Sequence, residues 1–78
     1  MPKKIVVYTT SWCGDCRNLK NQLRDNGIAY EERDIEQNAA DYATMMAYTN
    51  GKRVIPTVEI EGKILINPRF SDVQKESA

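Results

Sequence analysis

Thr9-Thr10-Ser11-Trp12-Cys13-Gly14-Asp15-Cys16 follows a short apolar run, Ile5-Val6-Val7-Tyr8, and opens a segment in which Cys16, Leu19 and Leu23 fall on one helical face. The two thiols therefore belong where a buried strand turns into a helix. Residues three apart in a first helical turn have Cβ atoms roughly 5–6 Å apart. A disulfide needs Cα atoms about 4.4–6.8 Å apart. Cys13 and Cys16 can thus form or open a bridge with little backbone movement, as a reversible redox centre requires.

Place also separates the two sulfurs. Cys13 lies at the helix N-terminus, beside unpaired N–H groups and the positive end of the macrodipole, which favours the nucleophilic thiolate. Cys16, one turn deeper, is expected to be buried and protonated. Cys13 is therefore read as the attacking sulfur and Cys16 as the resolving one, the pair forming a redox-active disulfide. A C-x-x-C beside a βαβ pattern is a thioredoxin-like redox signal.

Composition narrows the function classes. With 78 residues the chain is read as one domain, 1–78, with a small core. A bridge closing so short a ring constrains the unfolded chain little, so the pair is a poor staple and a plausible site. There are 11 basic and 11 acidic residues and no histidine. Balanced charge argues against a nucleic-acid partner, which calls for a basic face. No apolar run approaches the roughly 20 residues of a membrane span. Met1-Pro2-Lys3-Lys4 leads straight into a strand without a secretory apolar region, so a cytoplasmic setting is expected. Two cysteines without histidine cannot close a tetrahedral metal site in a monomer, so no metal is assigned.

Lys4 to Thr9 reads as a central strand, and Cys13 to Asn26 as a helix stopped by Gly27. Ile28 to Ile35 is a second strand, placed at an edge by its charges. Asn38 to Asn50 forms the second helix, capped by Asn38, with Tyr42, Met45, Met46 and Tyr48 supplying bulk for its core and surface. Val58 and Ile60 alternate with Glu59 and Glu61, and Ile64-Leu65-Ile66 returns as a hairpin partner. Asn67-Pro68 starts a last short helix, with the tail from Lys75 to Ala78 expected to fray. The order β-α-β-α-β-β-α gives a four-stranded mixed α/β sheet with three helices, and puts Cys13 at the carboxyl end of a strand.

A strand, Trp12-Cys13-Gly14-Asp15-Cys16, a helix, Val54-Ile55-Pro56 before a hairpin and a short last helix together resemble the glutaredoxins, members of the thioredoxin-like fold. The resemblance covers essentially the whole chain and leans towards small bacterial glutaredoxin-like proteins of the mycoredoxin type. It implies a thiol–disulfide oxidoreductase with no bound cofactor and a low-molecular-weight thiol, glutathione or mycothiol-like, as co-substrate. It also implies that Pro56 is cis, and that Ile55 offers its backbone to a peptide-like thiol. Gly14-Asp15 stands where many members have Pro-Tyr, and Thr10 where many have lysine. Asn67-Pro68-Arg69-Phe70-Ser71-Asp72 stands where many have a Gly-Gly grip on glutathione.

Around the cysteines, Trp12 is read as an exposed contact surface, the alternative being a core aromatic. Tyr8 is read as core. Lys52 and Arg53 are candidates for a substrate carboxylate or else a solvated loop, with Arg69 a third cation in reach. Asp72 is either a helix N-terminal charge or a ligand contact. Two other functions fit the same residues. One is a thioredoxin-like electron donor recharged by a flavin-dependent reductase. The other is a dimer holding an iron–sulfur cluster through Cys13. The leading expectation is a monomer that reduces mixed disulfides between proteins and the small thiol, and protein disulfides besides.

Overall fold

The computed structural model describes residues 3–77. Its elements run β1 (Ile5–Thr9), α1 (Gly14–Asp25), β2 (Glu31–Asp34), α2 (Ala39–Tyr48), β3 (Thr57–Ile60), β4 (Lys63–Ile66) and α3 (Phe70–Ser77). The sheet order is β2-β1-β3-β4, with β1 parallel to β2 and antiparallel to β3, and β3 antiparallel to β4. This is the expected order of elements. The charged strand β2 lies at one edge, as its composition requires.

β1 is buried at every position because helices cover both faces of the sheet. Side chains alternate between faces along a strand. Ile5 and Val7 enter one core with Leu19, Leu23, Val58, Ile60 and Val73. Val6 and Tyr8 enter the other with Ile35 and Met45, backed by Met46, Tyr48 and Ile55. The first core lies under α1 and α3, the second under α2. Tyr8 meets Tyr48 edge to face, with ring centroids 5.9 Å apart. Burial and the neighbouring Tyr48, Glu59 and Asp41 push the Tyr8 phenol up to about 12. It is a core residue, and it stays protonated.

The helix ends follow local chemistry. At the close of α1 the Ile28 N–H donates to Leu23 O at 2.9 Å and the Gly27 N–H to Arg24 O at 3.1 Å. This is a Schellman ending, and Gly27 supplies the left-handed residue it needs, at φ 69°. α2 begins where Asn38 Oδ1 accepts the N–H groups of Ala40 (2.9 Å) and Asp41 (3.2 Å). The hairpin turns on Glu61 and Gly62, both at positive φ (49° and 88°), the pair of left-handed residues that a two-residue type I′ loop demands.

Three boundaries differ from the sequence reading. β2 is shorter, because Ile28 to Tyr30 close the helix and pack on the core before strand pairing starts. α3 starts at Phe70 instead of at Asn67-Pro68, since Asn67 adopts φ 50° and its N–H is spent on Pro56 O at 2.9 Å. The tail does not fray as far as described. Helix continues to Ser77, where Glu76 Oε1 accepts Lys63 Nζ at 2.8 Å. Met1, Pro2 and Ala78, on which the N-terminal and tail readings also touched, lie outside the described residues.

Core burial and capping contribute unequally, and urea unfolding will separate them. Leu23→Ala, in the centre of the first core, is expected to cost about 2–5 kcal/mol. Asn38→Ala, which removes only a cap, is expected to cost about 0.5–2 kcal/mol.

Candidate active site

Cys13 is the residue before α1, extended at φ −81° and ψ 115°, with its carbonyl accepting Arg17 N–H at 3.1 Å. Its sulfur stands where a Ser or Asp oxygen would normally cap. Cys13 Sγ accepts the backbone N–H of Cys16 at 3.2 Å. A negative charge on this sulfur meets an N–H donor and the positive end of a helix at one point. Both cysteines are free thiols, Cys13 half-buried and Cys16 fully buried, at 0% exposure. Burial, followed by the hydrogen bond with Cys13, pushes the Cys16 thiol up to about 11, against hydrogen bonds from Thr9 and Thr10 that pull it down. At neutral pH Cys16 keeps its proton. Only Cys13 is reachable.

On one side of Cys13 lies an ordered rim. Trp12 is 62% exposed, and its indole Nε1–H donates to Glu36 Oε1 at 2.9 Å. The second oxygen of the same carboxylate accepts Arg53 Nη2 at 3.1 Å. The Arg53 guanidinium in turn lies over the Trp12 ring, 5.8 Å from its centroid. Glu36 drew no attention in the sequence. The only signal was topological: β2 runs parallel to β1, so the turn after β2 emerges beside the turn after β1.

On the other side a groove of about 510 Å³ opens along the first turns of α1, bounded by Asp15, Asn18 and Gln22, and across from them by Pro56, Asn67 and Arg69. Asp15 stands out in the sequence by its place between the two cysteines, whereas nothing there singles out Asn18 or Gln22. The Ile55–Pro56 peptide is cis, and Pro56 is buried. Ile55 packs its side chain into the α2 core, and among the described residues its N–H and C=O form no backbone hydrogen bond. Asp72 is exposed and spends one oxygen on the Arg69 N–H at 3.1 Å, so it caps α3 and orders the groove residue Arg69. Lys52 is exposed, in the loop that carries Arg53. Cys13, Trp12 and Arg53 thus share one rim, Pro56 faces the groove, and Asp72 acts at one remove. Among the described residues no cluster of metal-ligating side chains forms, and no helix is long and apolar enough to cross a membrane.

Residues 5–65 match the glutaredoxin family model. The chain belongs to the glutaredoxin family. Like its family, this glutaredoxin is a thiol–disulfide oxidoreductase. It is 44% identical over 71 residues to a Mycobacterium tuberculosis protein named as a glutaredoxin, covering 90% of this chain and 84% of that one. It is 33% identical over 61 residues to the Ricinus communis glutaredoxin, covering 76% of this chain and 60% of that one. A crystallised thioredoxin-like protein superposes with a TM-score of 0.77 at 32% identity, covering 92% of this chain and 97% of that one. Buckwheat glutaredoxin, solved in complex with glutathione, superposes with a TM-score of 0.68 at 27% identity, covering 82% and 60% of the two chains.

The burial difference has a direct readout. Iodoacetamide needs access to the sulfur, so the reduced glutaredoxin is expected to be alkylated first at Cys13, while Cys16 stays intact. Because the Cys16 thiol is raised, its alkylation in a Cys13→Ser variant should climb with pH, about tenfold per unit below its titration. Mass spectrometry of the modified peptides checks both, and Cys16 reacting as fast as Cys13 at pH 7 would contradict the burial argument.

Proposed function

We propose that this glutaredoxin, acting as one domain over residues 1–78, reduces mixed disulfides between proteins and a low-molecular-weight thiol. The observation that carries this reading is the unequal access of the two sulfurs: a reachable Cys13 hydrogen-bonded by the N–H of a buried Cys16. Cys13 thiolate attacks the small-thiol sulfur of the mixed disulfide, and the client protein leaves as its thiolate and takes a proton. The Cys13–small-thiol disulfide is then attacked by a second reduced small thiol. That releases the oxidised small-thiol dimer and restores Cys13.

A protein disulfide takes the second route. Cys13 attacks one client sulfur, and Cys16 then attacks Cys13 Sγ, expelling the client dithiol and leaving the Cys13–Cys16 bridge. Two of the influences that hold the proton on Cys16 come from Cys13 itself, a side-chain hydrogen bond and charge repulsion. Both are relieved once the Cys13 sulfur is tied into a disulfide, while the hydrogen bonds from Thr9 and Thr10 that favour thiolate remain. The adduct thereby removes part of what holds the proton on the buried thiol, while burial, the largest influence, persists.

Substrate placement follows from the same residues. The free N–H and C=O of Ile55 offer a short strand edge to the main chain of a cysteine-containing ligand. Pro56 walls the groove beneath it, Trp12 gives a flat surface beside the sulfur, and Arg53 stands at the rim. Asp72 contributes by fixing Arg69. The co-substrate is glutathione or a mycothiol-like thiol. The glutathione-bound buckwheat structure supports the first. A reducing, cytoplasmic setting and a monomeric enzyme fit this chemistry. The likeness to a thioredoxin-like protein, at 31% identity and a TM-score of 0.79, favours a second reading, an electron donor recharged by a flavin-dependent reductase.

Cys16→Ser is expected to keep turnover on a small-thiol mixed disulfide and to lose reduction of a protein disulfide such as that of insulin. Cys13→Ser should abolish both. Coupled assays with glutathione, mycothiol and a thioredoxin reductase as alternative reductants test this. A Cys16→Ser protein inactive on every mixed disulfide would overturn the first route.

A further inference from the structure

The Arg53 guanidinium lies 5.8 Å from the ring centroid of Trp12, the residue next to Cys13, and a guanidinium there invites the carboxylate of an incoming thiol. In this structure that guanidinium is already engaged. Glu36 binds it through Oε2 at 3.1 Å and binds Trp12 through Oε1 at 2.9 Å, so one carboxylate joins the turn before α1 to the loop before Pro56. Glu36 is itself held in place. Its N–H donates to Asp34 Oδ1 at 2.9 Å, and the buried Ile35 before it donates to Thr9 O at 3.0 Å, pinning the turn to the end of β1. The scaffold presents this carboxylate to Arg53 before any ligand arrives.

We propose that Glu36 sets the charge selectivity of the site by occupying Arg53, so that a carboxylate on the incoming thiol gains little at this rim. The inference rests on the mixed-disulfide reading above and assigns Glu36 a positioning role there. The Arg53–Glu36 pair contributes no net charge, and a ligand carboxylate would have to displace Glu36 while being repelled by it. Uncharged ligand groups escape that cost, and the exposed Trp12 ring remains available to them. Both partners are about half exposed, at 46% and 42%, so solvent moderates the effect.

Glu36→Gln isolates the charge, because the amide oxygen still accepts the Trp12 indole N–H. One peptide cysteine is prepared as two mixed disulfides, one with glutathione, which bears carboxylates, and one with uncharged 2-mercaptoethanol. Both are assayed with the wild type, E36Q and the double variant E36Q/R53Q. In E36Q the ratio of kcat/KM for the glutathione adduct to that for the mercaptoethanol adduct is expected to rise about two- to fivefold, the span of an exposed ion pair. The rise should appear in KM, shrink with added salt, and vanish in the double variant. An unchanged ratio in E36Q, or a rise that persists without Arg53, overturns the role of Glu36 alone. A wild type that turns over neither adduct overturns the mixed-disulfide reading and this inference with it.

Discussion

Cys13 has to do two things that usually exclude each other: finish a helix and stay open to collision. A capping side chain normally gives its lone pairs to the backbone and is spent. Sulfur is a weak acceptor when protonated and a strong one when charged, so the bond from the Cys16 N–H strengthens as Cys13 ionises. The whole arrangement requires α1 to start at one residue and no other. Moving the start by one turn would bury the sulfur in the core or leave it without its donor.

That start is set by β1. Because β1 is packed on both faces, it cannot slide without turning Val7 and Tyr8 towards the wrong cores, and its end at Thr9 fixes where the turn to α1 begins. The same strand end holds the neighbouring turn, through Thr9 O and the Ile35 N–H. Cys13 and the Glu36 carboxylate beside Trp12 are thereby registered against one another by backbone, with no direct contact between them required. The ladder bond from Asn67 to Pro56 O does the same for the opposite wall.

Chemical asymmetry within the pair then needs no special residue. One sulfur is half exposed and hydrogen-bonded at a helix end. The other lies in the core, where burial holds its proton. The surroundings are asymmetric too: an aromatic rim of paired charges towards α2, and a polar groove between α1 and α3.

Much of this was legible along the chain. The apolar run into Cys13-x-x-Cys16, the spacing of Cys16, Leu19 and Leu23, and Gly27 as helix stop are local signals, carried by residues within a turn or two of each other. The element order and the edge place of β2 follow from them by general rules of α/β packing. Where sequence reading went astray it was at ends decided from afar. Pro68 is compatible with a helix start, but Asn67 is drawn into the ladder by Pro56, eleven residues earlier, and the helix waits for Asp72 to cap Arg69. Glu36 sits in a turn like many acidic residues, and nothing near it in sequence distinguishes it. The chain by itself determined that one cysteine starts a helix and that the other, one turn on, is sheltered, because hydrophobic period and helix polarity are local properties. Which charges lie at the rim was decided only in three dimensions, because β2 pairs parallel and β3 antiparallel with β1, and together they bring Trp12, Glu36 and Arg53, 24 and 17 positions apart, to one end of the sheet.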